Sequence, residues 1–344
     1  MLTDRTTLAQ FLIEERRRYP HASGDLNGLI LNVALACKAI ANRVAMGELG
    51  ATFGVSDVAA NECFLRATQW GGQVAGMVSA EMAEPYHVPA QYPKGKYLLA
   101  FNPLEGASNI DVNASTGSIF SILRAPHPGT DPEPTDYLKP GAEQVCAGYA
   151  IYGPSTMLVL SVGTGVHAFT LDRAVGEFVL TRQDIRIPST TTEFAVNTCN
   201  QRFWEPAVQR YVSECQAGSA GPRGKDVHMR WVASLVAETH RILTRGGVFL
   251  DPRDSRDPAN PGTLRQLYEA NPVAFLVEQA GGAASTGRQR VLDITPKHVH
   301  ERIPIIVGAS DEVEQIQSYH QEHNDPATAF PLYRTRGLFL ATAG

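Results

Sequence analysis

Three things are scarce in this chain of 344 residues: cysteine, long apolar runs and positive charge. The five cysteines, at 37, 63, 146, 199 and 215, are odd in number, widely spaced and never in a CxxC pair. That pattern argues against a disulfide framework or a zinc site and fits buried thiols in a reducing compartment. No apolar run reaches the ~18 residues of a membrane span. The first residues carry charges and no signal-like apolar block, so the expected location is the cytoplasm. The net charge of -5 argues against a nucleic-acid surface, which needs clustered Lys and Arg. The one dense basic cluster, Arg16-Arg17-Arg18, follows Glu14 and Glu15 and reads as a solvated helix end. Also missing are a nucleophilic triad, a GxSxG elbow and a Walker loop.

What is present is ordinary for a folded protein, with 43% hydrophobic and 19% charged residues. The length suits one large or two medium domains. Leu26, Leu29, Ile30, Val33, Cys37, Ile40 and Val44 follow helical spacing, which predicts a helix over 25–47, capped by Ser23 or Asp25 and ended by Gly47 and Gly50. "DVAANECFLRATQW" predicts a second helix. From "VAGMVSAEM" onward come short apolar runs bounded by turns: "KYLLAF", "GSIFSILRA", "AGYAIYG", "TMLVLSVG", "VHAFTLD" and "GEFVLTR" all read as strands. Residues 126–143, with five prolines, read as an exposed loop. A second half starts near 185–192, with "EFAVN", helices around 204–215 and 228–244, the run "GGVFLDPR", a helix at 262–280 and a closing strand, "IPIIVGAS". The last residues, from about 325, read as a loosely held tail. Strand runs followed by alternating strands and helices imply a layered α/β architecture in two domains.

Three stretches carry candidate chemistry. "SAEM" and "NPLEGASNID" each follow an apolar run, so both loops are placed to leave neighbouring strands on one side. Glu81, Glu105 and Asp111 are their acids, and hard cations take such oxygen ligands. Gly106 permits close backbone approach, and the N–H groups of Ala107 and Ser108 are suited to grip a phosphoryl oxygen. Spacing alone favours a plainer reading, a polar turn with an Asn or Asp cap. In "GTLRQLYEANPVAFLVEQAGGAASTG", Arg265, Tyr268 and Glu269 precede an apolar helix; by itself Glu269 is an unremarkable helix residue. In "RGKDVHMRWVASLVAETHRILTRGG", Arg230 and Trp231 are expected to open a helix, Arg suits phosphate, and His240 reads as a packed histidine.

Together these stretches resemble class I fructose-1,6-bisphosphatase, of the inositol monophosphatase-like sugar phosphatase superfamily. The resemblance rests on "LAQFLIEERRRYP", "NPLEGASNID", "GSIFSILRAP", "EQVCAGYAIYGPSTMLVL", "RGKDVHMRWVASLVAETHRILTRGGVF" and "LYEANPVAFLVEQAGGAAS", and runs from about residue 7 to 320. It implies a layered α-β-α-β-α sandwich of the sugar-phosphatase type, with a metal and phosphate domain over 1–188, a sugar-phosphate domain over 189–330 and a tail over 331–344. It implies a homotetramer acting on a small sugar bisphosphate, with no nucleic acid or membrane partner. The implied reaction is magnesium-dependent removal of the 1-phosphate of fructose 1,6-bisphosphate by activated water.

Residue by residue, the resemblance implies metal-site roles for Glu81, Glu105, Glu269, the carbonyl of Leu104 and a weakened Asn102. Asp57 and Glu81 become the catalytic acids. Gly106, Ala107 and Ser108 would hold phosphate, and Asn197, Asn200 and Arg230 the 6-phosphate, with Arg230 reaching a neighbouring subunit. The family's "DPLDGSSNID" reads "NPLEGASNID" here, its "SEE" becomes Ala80-Glu81, and its sugar-binding lysine and aromatic are Thr263 and Asp251. The family's "GExxKKLD" run has no match between Gly50 and Asp57. These departures predict weak binding of magnesium, or of manganese as substitute, and impaired turnover. The alternative is a catalytically silent homologue that binds sugar phosphate or assembles with an active paralogue. The implied pathway is gluconeogenesis or a carbon-fixing pentose (Calvin) cycle. Gly24-Asp25-Leu26-Asn27 matches only loosely the stretch that carries nucleotide regulation in some members.

Overall fold

The computed structural model describes residues 5–18, 23–47, 56–259 and 262–324. The tail beyond 324, Gly50 and the segment after it lie outside the described residues, apart from the Ser56-Asp57 start of the next helix. The main helices are α1 (Leu8–Arg17), α2 (Asp25–Val44), α3 (Asp57–Thr68), α4 (Pro206–Ala217), α5 (Leu235–Arg245), α6 (Asn271–Gln279) and α7 (Ser310–Asn324).

The first sheet contains β1 (Val74–Ser79), β2 (Tyr86–His87), β3 (Tyr97–Glu105), β4 (Thr116–Arg124), β5 (Cys146–Tyr152), β6 (Thr156–Ser161), β7 (His167–Asp172) and β8 (Glu177–Arg182). Its spatial order is β2-β1-β3-β4-β5-β6-β7-β8. All neighbours are antiparallel except β1 and β3, which are parallel. The parallel pair brings the loops after Ser79 and Phe101 out at one end of the sheet, as expected of "SAEM" and "NPLEGASNID".

The second sheet contains β9 (Glu193–Val196), β10 (His228–Met229), β11 (Val248–Asp251), β13 (Ala283–Ser285) and β15 (Ile305–Gly308), in the order β10-β9-β11-β15-β13. A separate two-stranded ribbon pairs β12 (Leu264–Arg265) with β14 (Arg302–Ile303).

Three buried clusters show the layering. Helices α1, α2 and α3 cover one face of the first sheet, with Leu29, Val33, Phe64, Phe101 and Phe120 at the contact. Between the sheets, α5 and α6 pack Val236, Ile242, Val273 and Val277 against Ile119 and Tyr149 on one side and Ala195 and Val307 on the other. Helices α4 and α7 close the far side through Val208, Tyr211, Val313 and Ile316. The result is the α-β-α-β-α sandwich. Both faces of each sheet are covered, which explains why strands such as β4 and β5 read as continuous apolar runs rather than alternating ones.

Some elements differ from the sequence expectation. No helix opens at Arg230: β10 occupies 228–229, Arg230 N donates to Phe194 O, and α5 begins only at Leu235. Ser234 sets that start, its hydroxyl accepting from Ala237 N, while Ala233 turns left-handed at φ 58°. The expected helix at 262–280 is divided into β12, a wide π turn over Gln266–Ala270, and α6. The loop over 126–143 is not wholly exposed, because Tyr137 is buried beneath it against Ala75 and Leu98. Of the five free thiols, Cys37, Cys146 and Cys215 are buried, whereas Cys63 is half-buried and Cys199 is exposed. No helix among the described residues is long and apolar enough to cross a membrane.

Candidate active site

Strand β3 runs apolar and buried up to Phe101 and then empties into the acidic loop. Its register with β4 breaks between Asn102 and Glu105, a bulge that re-aims the side chains beyond it. Ser118 Oγ donates to the displaced Pro103 carbonyl at 2.6 Å, so the bulge is satisfied internally. Gly106 follows at φ 72°, where a side chain would be strained. A Cβ there would also lie 3.2 Å from Ser234 Cβ. The 3-10 turn over Ala107–Asn109 then starts, leaving the N–H groups of Ala107 and Ser108 without an intrahelical acceptor.

Glu105 is spent on a structural task. Its carboxylate accepts from Ser234 Oγ at 2.7 Å, Leu235 N at 2.8 Å and Val236 N at 3.1 Å. The orphan amides and positive dipole end of α5 thus hold it. Burial pushes its carboxyl above the ordinary value, opposed by those three donors.

Asn102 and Glu269 form the second relationship. Asn102 Nδ2 donates to Glu269 Oε1 at 2.7 Å, and Arg265 N donates to Oε2 at 2.6 Å. Asn102 Oδ1 accepts from Leu104 N at 3.2 Å. Burial pushes the Glu269 carboxyl up to about 7, against the pull of those two donors.

Asp57 and Glu81 make the third. Asp57 opens α3 behind the Ser56 cap, and burial raises its carboxyl. Glu81 follows β1, its N–H donating to Ser79 Oγ at 3.2 Å. Its carboxyl is raised by burial and then by the charge of Asp57, so the two acids share one neighbourhood. Glu105 also raises Glu269, and Glu81 also acts on Tyr268. Asp57, Glu81, Glu105 and Glu269 therefore gather in one region, drawn from β1, β3, α3 and the π turn, whereas Asp111 lines a separate cleft with Ala41, Val44 and Arg173.

That gathering does not form a metal cradle. Among the described residues, no three His, Cys, Asp or Glu side chains are placed to hold one ion. Glu105 is saturated by the helix end, and both Glu269 oxygens take donors, one from an amide that offers hydrogen where a cation would need an acceptor. The carboxylates of Asp57 and Glu81 remain. The donor set as arranged does not fit the magnesium ions that the resemblance implies.

The sugar-side residues come from the second sheet. Strands β10, β9 and β11 are mutually parallel neighbours, so Asn197, Arg230 and Asp251 stand at one end of that sheet, a common ligand position in α/β folds. Asn197 Oδ1 accepts from Cys199 N at 3.2 Å and caps the turn that carries Asn200. Arg230 is exposed and pairs with Glu193 at 3.4 Å. Sequence reasoning placed Asp251 and Thr263 as isolated departures; the fold joins them. Thr263 donates to Asp251 Oδ2 through its N–H at 3.0 Å and its hydroxyl at 2.8 Å.

Two residues escaped the sequence reading. His300 lies between loops: its Nε2 meets Ala83 O at 3.0 Å and its Nδ1 meets Tyr268 Oη at 2.8 Å. A carbonyl only accepts, so Nε2 carries a proton and donates to Ala83 O. His300 thus ties the Glu81 loop to the turn bearing Glu269. Ser234 is the other, and its place six residues before His240 offered no signal. His240 is a packed histidine, 2.8 Å from Tyr149 Oη, with its basicity lowered by burial. At the loosely matched nucleotide stretch, Asp25 pairs with Lys96 at 2.7 Å.

The comparisons with known proteins agree over the whole described chain. The model described as the fructose-1-6-bisphosphatase N-terminal domain matches residues 6–183, and that of the C-terminal domain matches 187–321. The chain is 59% identical to a class 1 fructose-1,6-bisphosphatase of Methylibium petroleiphilum, with 99% of each chain covered. It is also 59% identical to the class 1 enzyme of Hydrogenophilus thermoluteolus, with 97% of each covered. The crystal structure of Leishmania major fructose-1,6-bisphosphatase in holo form superposes with a TM-score of 0.84 at 32% identity, covering 92% of this chain and 99% of that one. With both halves of the sandwich matched, the chain belongs to the fructose-1,6-bisphosphatase family.

Proposed function

We propose that this chain is a phosphoric monoester hydrolase acting on the 1-phosphate of fructose 1,6-bisphosphate, with turnover much reduced. The reading draws substrate and reaction from the names of its relatives. The reduction rests on one observation, the 2.7 Å hydrogen bond from Asn102 to Glu269. An acid at 102 would repel Glu269 and invite a cation between them; the amide instead neutralises the need for one.

In this scheme Asn197, Asn200 and Arg230 take the 6-phosphate end of the sugar, and the amides of Ala107 and Ser108 receive oxygens of the 1-phosphate. Gly106 lets the backbone approach. The Asp57–Glu81 pair, coupled and partly buried, is the place to orient an attacking water and accept its proton. Asn102, Leu104, Glu105 and Glu269 support the loop from behind. We assign the protein to the cytoplasm, as a homotetramer in which Arg230 serves a neighbouring subunit, with a domain boundary near 188.

A second reading, a silent homologue that binds sugar phosphate or joins an active paralogue, is favoured by the saturation of Glu105. Phosphate release from purified protein with fructose 1,6-bisphosphate, across magnesium and manganese titrations, separates the two. Slow release above blank is the expected result. No release at any concentration would sink the hydrolase reading, and co-purification with an active paralogue would then support the second.

A further inference from the structure

We propose that Arg241 is a positioning residue for Arg230: it takes up the charge of Glu193 and so leaves the Arg230 guanidinium open to a phosphate group. This role rests on the assignment of Arg230 to the 6-phosphate proposed above, and Arg241 itself touches no ligand.

Glu193 opens β9 and stands opposite His228 of β10, next to the segment that carries Arg230. Its two oxygens are divided between two arginines. Arg241 Nη1 donates to Oε2 at 3.0 Å, while Arg230 Nε lies 3.4 Å from Oε1. Burial would raise the Glu193 carboxyl, but hydrogen bonds and charge from Arg241, and then from Arg230, hold it below its ordinary value. Glu193 is therefore ionised, and Arg241 is its stronger partner. The Arg241 side chain is 12% exposed and that of Arg230 53%, so attraction is screened far less at the first contact than at the second. Arg230 is thus tethered through Nε alone. Its two terminal nitrogens donate to no acceptor among the described residues, and they are the fork that meets phosphate oxygens in pairs.

Arg241 also holds the same segment from its other end. Its Nε and Nη2 donate to Glu238 Oε2 at 3.0 and 2.9 Å. Glu238 Oε1 in turn accepts from Val232 N at 2.9 Å. Glu238 is 1% exposed, so the cation compensates a charge that burial would otherwise penalise. Gly247, at φ 134°, leaves room for the guanidinium, because a Cβ there would collide with Arg241 Nη1. Arg230 and Val232 are thus fixed by one buried arginine, through one carboxylate each. Without it, an unshared Glu193 would draw the Arg230 fork to itself and repel an arriving phosphate at short range.

The test is calorimetric titration of the full chain with fructose 6-phosphate at low ionic strength, for which the wild type should show saturable binding. Arg241→Met alone would strand the buried Glu238, so the informative protein combines Glu238→Gln with Arg241→Met. Glu238→Gln by itself keeps an acceptor for Val232 N and should bind as the wild type does. The combined variant should bind about tenfold more weakly or worse, as loss of a charge-assisted hydrogen bond implies. Adding Glu193→Gln removes the competing charge and should recover most of that loss, a rescue that a purely structural Arg241 would not give. Arg230→Met checks the parent assignment separately and should also bind weakly. If it binds like the wild type, or if the wild type shows no saturable binding, the 6-phosphate assignment falls and the role of Arg241 with it. If Arg230→Met is weak but the combined variant binds like the wild type, or stays weak after Glu193→Gln, the role of Arg241 alone is overturned.

Discussion

Asn102 donates its side-chain amide to the Glu269 carboxylate across 2.7 Å, joining strand β3 to the turn that opens α6. The bond crosses from the end of an interior strand of the first sheet to the turn that opens α6, so it bears on stability as well as chemistry.

Asn102→Asp should therefore trade a hydrogen bond for a buried repulsion. The metal-free variant is expected to be about 1–3 kcal/mol less stable at pH 8, and magnesium should recover more stability in the variant than in the wild type. Urea unfolding with and without magnesium chloride measures both. Equal stability of the two metal-free proteins would show that the Asn102–Glu269 bond contributes nothing.

Glu105 acts on α5 as a cap supplied from a distant strand. Glu105→Ala should leave three donors at Ser234, Leu235 and Val236 unpaired and cost about 2–3 kcal/mol in chemical denaturation. Glu105→Asp, the shorter residue of the family loop, should lose part of the same contact and cost less.

Gly106→Ala meets both a left-handed backbone at φ 72° and Ser234 Cβ at 3.2 Å. A loss of about 1–2 kcal/mol is expected from the backbone conformation alone. Because the displaced neighbour is Ser234, the variant combined with Glu105→Ala should cost less than the sum of the two, which a double-mutant cycle reads directly.

A pH effect is expected at the far layer. Burial would raise the Glu205 carboxyl, but hydrogen bonds and charge from His320 and Arg288 outweigh it and hold the group at about 2, below the ordinary 4.5. A depressed acid stabilises the fold above its unfolded value and loses that contribution as pH falls through the folded one. The window is thus pH 4.5 down to about 2. Glu205→Gln should be about 1–2 kcal/mol less stable at pH 7, the full shift being reduced by solvent screening at the half-exposed Arg288, with the difference vanishing near pH 2. A constant difference across that range would contradict the assignment.

Much of the layered fold was legible before any coordinates. Strands buried on both faces need continuous apolar runs, and "TMLVLSVG" and "AGYAIYG" show them. The helix over 25–47 is set by a local spacing that survives any tertiary context, and the structure ends it near Val44. What escaped were the places where distant chain segments decide the outcome. Arg230 and Trp231 have good helical neighbours, yet pairing of β10 with β9 draws that segment into a strand and delays α5 to Ser234. Likewise the π turn at Gln266–Ala270 answers to β12 pairing with β14, which lies more than thirty residues further along the chain.

The candidate site divides in the same way. Residue type and motif order by themselves determined the family resemblance, the acidic stretches and the substitutions at Asn102, Ala80, Thr263 and Asp251, because each is a local chemical fact. Only the tertiary structure decided what those side chains do. Hydrogen bonds are short-ranged and directional, so whether a carboxylate is open or occupied depends on which donor the fold brings within about 3 Å. Here the fold brings the end of α5 to Glu105, the amide of Asn102 to Glu269, and Arg241 to Glu193, and none of these pairings is written in the spacing of the chain.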